Sequence, residues 1–237
     1  MTVPSRGSSQ TILLVGASRG LGAAMAAEFV KKGWSVVGTV RGDAKTALHH
    51  LADRHPNQVT IEQLDITQPD RIAALRERLA GGCFDMLFVN AGAANRDRAE
   101  TIAEVSTDEF VRLMLTNVLG VMRAVEGLQG LVRTDGLIGV MSSGQGSVTN
   151  NTTGGGEIYR ATKAALNQSM RSYAARHADD RRAMVLMAPG WIRTDLGGPN
   201  APFSIEETIP HVVDVLLAQQ GKPGLLYLDR HAKTVPW

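Results

Sequence analysis

Short, continuous apolar runs recur along the chain, separated by longer stretches with helical spacing. The runs are Thr11–Val15 (TILLV), Ser35–Val40 (SVVGTV), Val59–Leu64 (VTIEQL), Asp85–Val89 (DMLFV), Gly136–Met141 (GLIGVM), Ala183–Ala188 (AMVLMA) and Gly224–Leu228 (GLLYL). Most do not alternate with polar residues, which fits strands covered on both faces, as in a parallel sheet. Between them, Leu21–Lys32, Ala44–Arg54, Pro69–Ala80, Thr107–Val132, Glu157–His177 and Ile205–Gln219 read as helices. Ile72, Leu75 and Leu79 share one face of the third. Ser106 or Thr107 offers the fourth an N-cap ahead of Asp108 and Glu109, whose charges suit a helix start. Repeated strand–helix alternation implies right-handed crossovers and a doubly wound α/β sheet in three α/β/α layers. No linker rich in Pro, Gly and Ser divides the chain, so residues 1–237 read as one domain. The loosest stretches, Gly144–Gly156 and Gly197–Pro202, follow expected strands, on the side where open α/β sheets bind ligands.

Composition narrows the function classes. A chain of 237 residues, 43% hydrophobic and 20% charged, can bury a core without disulfides or metal. Lys+Arg 25 against Asp+Glu 23 is too balanced for gripping nucleic acid. No apolar run approaches the roughly 20 residues that span a bilayer. The opening MTVPSRGSSQ lacks the apolar core of a secretion signal, so a cytoplasmic protein is expected. Cys83 is the only cysteine, with no base beside it in sequence. His49, His50 and His55 cluster loosely in a charged helix without metal-ligand spacing and read as surface residues. Arg181-Arg182 reads as a solvated turn.

Local chemistry begins at the first strand, which runs directly into Gly16-Ala17-Ser18-Arg19-Gly20-Leu21-Gly22 and a helix. This GxxxGxG spacing is a variant of the dinucleotide fingerprint. Gly16 permits the tight turn, Gly20 lets backbone approach a diphosphate, and Gly22 allows close helix packing. Backbone N–H groups at the helix start then meet negative charge. The second strand ends in Arg41 with no carboxylate before Asp43, so Arg41 and Arg19 could neutralise a 2′-phosphate. NADP(H) is therefore favoured over NAD(H). Asp65 is placed either to bond an adenine amino group or to cap a helix. Asn90-Ala91-Gly92 follows the fourth strand with small residues that let backbone run beside a cofactor.

Tyr159 and Lys163 stand four apart and share one face of a helix. A nearby ammonium favours the phenolate and makes the tyrosine a workable general acid and base. Ser142 or Ser143, at the end of the fifth strand, could bond a substrate oxygen as charge develops. Asn117, inside the long helix, could hold a water linking Lys163 to solvent, or could simply face solvent.

In this order and at these intervals the residues resemble a classical short-chain dehydrogenase/reductase. The resemblance implies a Rossmann-type sheet of seven parallel strands. It implies Tyr159 as acid/base, Lys163 on the nicotinamide ribose, Ser143 orienting the carbonyl and Asn117 anchoring the relay water. Ser18, Arg19, Leu21, Arg41, Asp65 and Ile66 fall among the implied cofactor contacts. Ile192 and Thr194 would hold the carboxamide, and Pro189-Gly190 would shape the backbone beside it. Ser143 precedes Tyr159 by sixteen residues, where the family usually has about thirteen; the extra ones lie in Asn150–Gly156. This loop, Tyr159–Asn167, the run from Pro189, Gly198–Asn200 and Pro236-Trp237 resemble a C-factor/sniffer-like subgroup.

The expected activity is hydride transfer from NADPH to an aldehyde or ketone with Tyr159 as general acid. The alternative is an NADPH-binding signalling protein with little turnover; a methyltransferase would leave Tyr159 and Lys163 without a use. Substrate loops are expected at about 93–99, 144–158 and 191–210. Val148, Trp191, Leu196 and Phe203 suggest a mainly apolar pocket, although Trp191 could equally pack beneath it. The helices Thr107–Val132 and Glu157–His177 could pair with their copies in a homodimer or homotetramer, as is common in the resembled family.

Overall fold

The computed structural model describes residues 9–237; of the opening MTVPSRGSSQ, only Ser9 and Gln10 lie within them. Each apolar run forms a strand: β1 (Thr11–Val15), β2 (Ser35–Val40), β3 (Val59–Gln63), β4 (Phe84–Val89), β5 (Val132–Met141), β6 (Ala183–Ala188) and β7 (Gly224–Asp229). The seven pair in parallel in the order β3-β2-β1-β4-β5-β6-β7. Flanking them are α1 (Gly20–Lys31), α2 (Ala47–Arg54), α3 (Pro69–Arg78), α4 (Thr107–Met114), α5 (Val121–Leu128), α6 (Glu157–Arg176) and α7 (Ile205–Gln219).

The absence of alternation in the strands has a simple cause. Leu13 and Val15 of β1 enter an apolar layer with Ile72 of α3, Val125 of α5 and Met170 of α6. Ile12 and Leu14 point the other way, among Met25 and Phe29 of α1 and Leu216 of α7. Successive side chains still face opposite sides, but both sides are dry.

Several expected boundaries move. The stretch expected as one helix to Val132 is interrupted: a π-helical turn spans Leu115–Gly120 between α4 and α5, and a 3₁₀ turn closes Gln129–Leu131. Asn117 sits in the wide turn with its side chain wholly buried. Its amide answers both backbone groups of Ala93, accepting from the N–H and donating to the carbonyl, each at 2.8 Å. A π turn commonly marks a functional site, where one extra residue re-aims a side chain. β5 starts at Val132, four residues before the expected Gly136, with a register shift against β4 at Phe84/Met86.

Of the two proposed caps for α4, Ser106 serves, accepting from the Glu109 N–H at 3.3 Å. α2 begins at Ala47 rather than Ala44, because the Thr46 N–H donates to His49 Nδ1 at 3.1 Å. Arg182 is no solvated turn: it lies half-buried, bidentate on Asp180, and donates to the Gln129 carbonyl at 2.6 Å. A reciprocal Ser204–Glu207 cap starts α7 at Ile205, which ends the last loop before residue 210. Leu13 lies in β1, an interior strand, with no exposed surface. Leu13→Ala should cost roughly 2–5 kcal/mol, read as a lower urea midpoint at unchanged slope.

Candidate active site

From β1 the chain winds outward through β2 to β3, and from β4 outward in the other direction to β7. The carboxyl ends of β1 and β4 therefore flank the switch point where such sheets hold ligands. Gly16 (φ +87°) turns the chain out of β1, and a Cβ there would come within 2.8 Å of the Ala91 backbone. A Cβ on Gly22 would stand 2.1 Å from the Gly16 carbonyl oxygen. Asn90 Nδ2 donates to that carbonyl at 2.8 Å, and buried Thr39 accepts the Gly16 N–H at 2.9 Å. Gly20 (φ +55°) differs: nothing lies within 4 Å of where its Cβ would be, so this face of the turn is open. The N-cap of α1, Arg19, makes no side-chain cap bond, and the first turn carries no acid. Its backbone donors thus keep an uncontested face for an anion.

Around the turn, Arg19 is exposed and pairs with Asp195 in the loop after β6. Arg41 is exposed, and among the described residues no carboxylate lies within 4.0 Å of its guanidinium. Asp65 caps no helix: Gln68 holds that place before α3. Asp65 Oδ1 instead accepts from the Thr67 N–H at 2.9 Å and the Thr67 hydroxyl at 2.7 Å. Ile66 packs in the apolar layer, its carbonyl 3.0 Å from where a Gly120 Cβ would stand.

On the other side of the switch point, α6 carries Tyr159 and Lys163 one turn apart, with Lys163 Nζ 5.8 Å from the centre of the Tyr159 ring. Lys163 is buried and donates to the Met141 carbonyl at 2.9 Å. Gly92 lies beside it, where a Cβ would come within 3.6 Å of Nζ and 3.4 Å of Asn117 Oδ1. Asn117 also donates to Thr162 Oγ1 at 3.0 Å, so it is a buried link between α6 and the segment after β4 rather than a solvent-facing amide. The two serines part ways. Ser142 is buried and donates to Asn167 Oδ1 at 2.6 Å, whereas Ser143 stays partly exposed beside Tyr159. Tyr227 Oη donates to the Ser143 carbonyl and helps fix that turn.

Tyr159 lines a cavity of about 190 Å³ with Arg98, Gln145, Gly156 and Trp191. The Trp191 indole donates to the Gly197 carbonyl at 2.7 Å, which holds the ring as a wall. Val148, Leu196 and Phe203, also expected to line it, do not border this cavity. Val148 projects into solvent at 72% exposure, and Phe203 lies beneath the Arg230 guanidinium, 3.7 Å from its ring centre. Arg98 and Gln145 take part instead. Both lie in expected substrate loops, but each is an isolated polar residue in a polar stretch and gave no periodic signal. Arg160 closes the lower loop, donating to the Gly155 and Gly154 carbonyls at 2.7 and 3.1 Å.

Ile192 is buried and bridges to Phe203, while Thr194 Oγ1 accepts from the Gly197 N–H at 2.8 Å. Gly190 (φ +100°) lies where a Cβ would stand 2.3 Å from Arg230 Nη1, and Arg230 donates to the Pro189 carbonyl at 3.3 Å.

A model of the short chain dehydrogenase family matches residues 10–203. The chain belongs to this family. Its fold agrees with that of a short-chain dehydrogenase/reductase from Burkholderia multivorans solved with bound NADP, at 63% identity and a TM-score of 0.96, covering 97% of this chain and 100% of the other. A carbonyl reductase from Pseudomonas aeruginosa PAO1, solved with NADP, is 31% identical with a TM-score of 0.89, again over 97% and 100%. The narrower affinity to signalling members is thinner. The C-signal protein of Myxococcus xanthus is 29% identical over 166 residues, 69% of this chain and 99% of that one, a distant relative.

Within this short-chain dehydrogenase, burial sets the electrostatics of the pair on α6. Desolvation pushes the Tyr159 phenol up to about 12, opposed by a hydrogen bond with Ser143 and by the charge of Arg98. Desolvation brings the Lys163 ammonium down to about 8. Burial of the cation therefore costs stability below pH 8, and the cost fades as pH rises to 10.5, where the unfolded chain also loses the proton. Lys163→Met removes this cost. In paired denaturation curves, wild type should gain about 3 kcal/mol on the variant between pH 8 and 10.5. A flat difference would mean that the ammonium is well solvated.

Proposed function

We propose that this short-chain dehydrogenase is an NADP(H)-dependent carbonyl reductase in which Tyr159 is the general acid. The observation that carries the reading is Tyr159 at the wall of a cavity, hydrogen-bonded to Ser143 and with Lys163 Nζ 5.8 Å from its ring centre. The open face at Gly20 and the uncapped donors of α1 suit a diphosphate, held with Ser18 and Leu21 of the same turn. Arg41, free of any carboxylate among the described residues, takes the 2′-phosphate, with Arg19 as second donor once Asp195 releases it. Asp65 has one carboxylate oxygen beyond the Thr67 turn for an adenine amino group. Asn90, Ala91 and Gly92 with Pro189, Gly190, Ile192 and Thr194 frame the nicotinamide. NADPH, when bound, supplies the hydride.

The remaining chemistry belongs to side chains. Ser143 bonds the substrate oxygen and stabilises its developing charge. Tyr159 gives that oxygen its proton; a phenol held at about 12 keeps its proton at neutral pH and is a donor in the reducing direction. Lys163, fixed on Met141, lowers the cost of the phenolate left behind, and Asn117 orders the water that returns a proton from solvent. The substrate loops at about 93–99, 144–158 and 191–204 close over one domain, and the protein works in the cytoplasm.

Loss of NADPH absorbance with a panel of aldehydes and ketones tests this directly. Tyr159→Phe should lower kcat by roughly 10²–10⁴-fold and leave NADPH binding, read by fluorescence, near wild type. A biological effect that survived this change would favour the signalling alternative.

The apolar face of α4 and the π turn supports self-association. Phe110, Val111 and Leu119 are 41%, 54% and 46% exposed, and with Met114, Val118 and Met122 they edge a groove of about 620 Å³ against α6. Such a patch suits a second copy of the chain, in a homodimer or homotetramer through these helices. Light scattering after gel filtration should give an oligomer for wild type and a monomer for Val111→Glu/Leu119→Glu.

A further inference from the structure

The cavity beside Tyr159 contains a cation without a counter-ion. Arg98 lies in the loop after β4 with its guanidinium carbon 6.0 Å from the centre of the Tyr159 ring. Among the described residues, no carboxylate lies within 4.0 Å of its nitrogens. The acids of its own and the facing segment are committed elsewhere. Asp97 Oδ1 accepts from the Ala99 N–H at 2.8 Å, Glu100 lies 3.5 Å from Asn95 Nδ2, and Glu157 Oε2 accepts from the Ile102 N–H at 2.7 Å. The rest of the lining, Gln145, Gly156, Tyr159 and Trp191, holds no charge.

We infer that Arg98 is a specificity residue that selects carbonyl substrates bearing a carboxylate, so that the natural substrate is a compact oxo-acid. The inference rests on the carbonyl-reductase reading and gives it a substrate class. A guanidinium offers a carboxylate two parallel N–H donors, a geometry that an apolar or cationic substrate cannot use. Gln145, which also lines the cavity, carries a further amide donor. One cation matches a monoanion better than a phosphate dianion. The volume of about 190 Å³ lies below the usual range of ligand pockets, roughly 300–1,000 Å³, and calls for a small molecule. With its carbonyl on Tyr159 and Ser143 and its carboxylate on Arg98, such a substrate is held at both ends, which fixes the reacting carbon.

The test compares each acid with its neutral methyl ester: 4-oxobutanoate, 3-formylbenzoate and 4-formylbenzoate. Each pair uses the same tyrosine, so any influence of Arg98 on Tyr159 cancels in the acid-to-ester ratio of kcat/KM. Wild type should favour at least one acid by roughly tenfold or more. Arg98→Gln should bring that ratio to one or below, chiefly through KM of the acid, and Arg98→Lys should restore it in part. A wild-type ratio of one or less for all three pairs, or a ratio unmoved by Arg98→Gln, overturns the inference while the reductase reading stands. If no carbonyl turned over, the reductase reading would fail, and calorimetry would still decide the role of Arg98. Protein loaded with NADP⁺ should then bind 4-(hydroxymethyl)benzoate but not benzyl alcohol, and lose the acid in Arg98→Gln. Equal binding of both alcohols, or of neither, counts against the inference.

Discussion

The turn after β1 and the segment after β4 lie against each other because side chains are missing at their contact. A Cβ on Gly16 would collide with the Ala91 backbone, and one on Gly22 with the Gly16 carbonyl oxygen. With those atoms absent, Asn90 reaches the Gly16 carbonyl and locks the two strand ends at the switch point. Everything downstream inherits this placement. The segment that follows Asn90 carries Gly92 past the Lys163 ammonium and delivers the Ala93 backbone to Asn117. A bulky residue at either glycine would displace the crevice and the Lys163–Asn117 side together.

The fold was legible because its signals are redundant. A dry parallel sheet demands unbroken apolar strands, and all seven stood out, along with the turn chemistry at Gly16–Gly22. What escaped were local trades of one hydrogen bond for another. The π turn at Leu115–Gly120 keeps the apolar spacing of a helix to within one residue, so periodicity reads straight through it. The buried amide of Asn117 within it bonds Ala93, in a segment 24 residues away. Arg182 was hidden for the same reason: its partners Asp180 and Gln129 meet only when β6 and the turn before β5 lie side by side.

The site divides along the same line. Residues placed by spacing, Tyr159 and Lys163 on one helix face or the glycines in one turn, lie together as the sequence predicts. Choices that depend on which way a loop points do not follow from spacing. Ser142 and Ser143 are neighbours in an extended stretch and therefore face opposite sides, one toward Asn167 and one toward Tyr159. The identity of the wall residues departs furthest from the sequence expectation. Val148 and Phe203 are apolar in sequence, yet one faces water and the other is covered by Arg230, while the polar Arg98 and Gln145 face inward. Hydrophobicity predicts burial in a core where every neighbour is apolar; it says little about a cavity rim.

In the proposed cofactor site, the ion pair between Arg19 and Asp195 would make the phosphate end of the crevice an ion exchanger. Arg19 is already paired, so a phosphate arriving there would displace a tethered carboxylate instead of meeting a bare cation. Added salt weakens the outgoing pair and the incoming one alike, and much of its effect at this arginine cancels. Among the described residues Arg41 has no such counter-ion, and a phosphate bound there would feel salt in full. Two arginines that look equivalent in sequence would thus divide the labour in that site: Arg41 would answer ionic strength, and Arg19 would first part from Asp195.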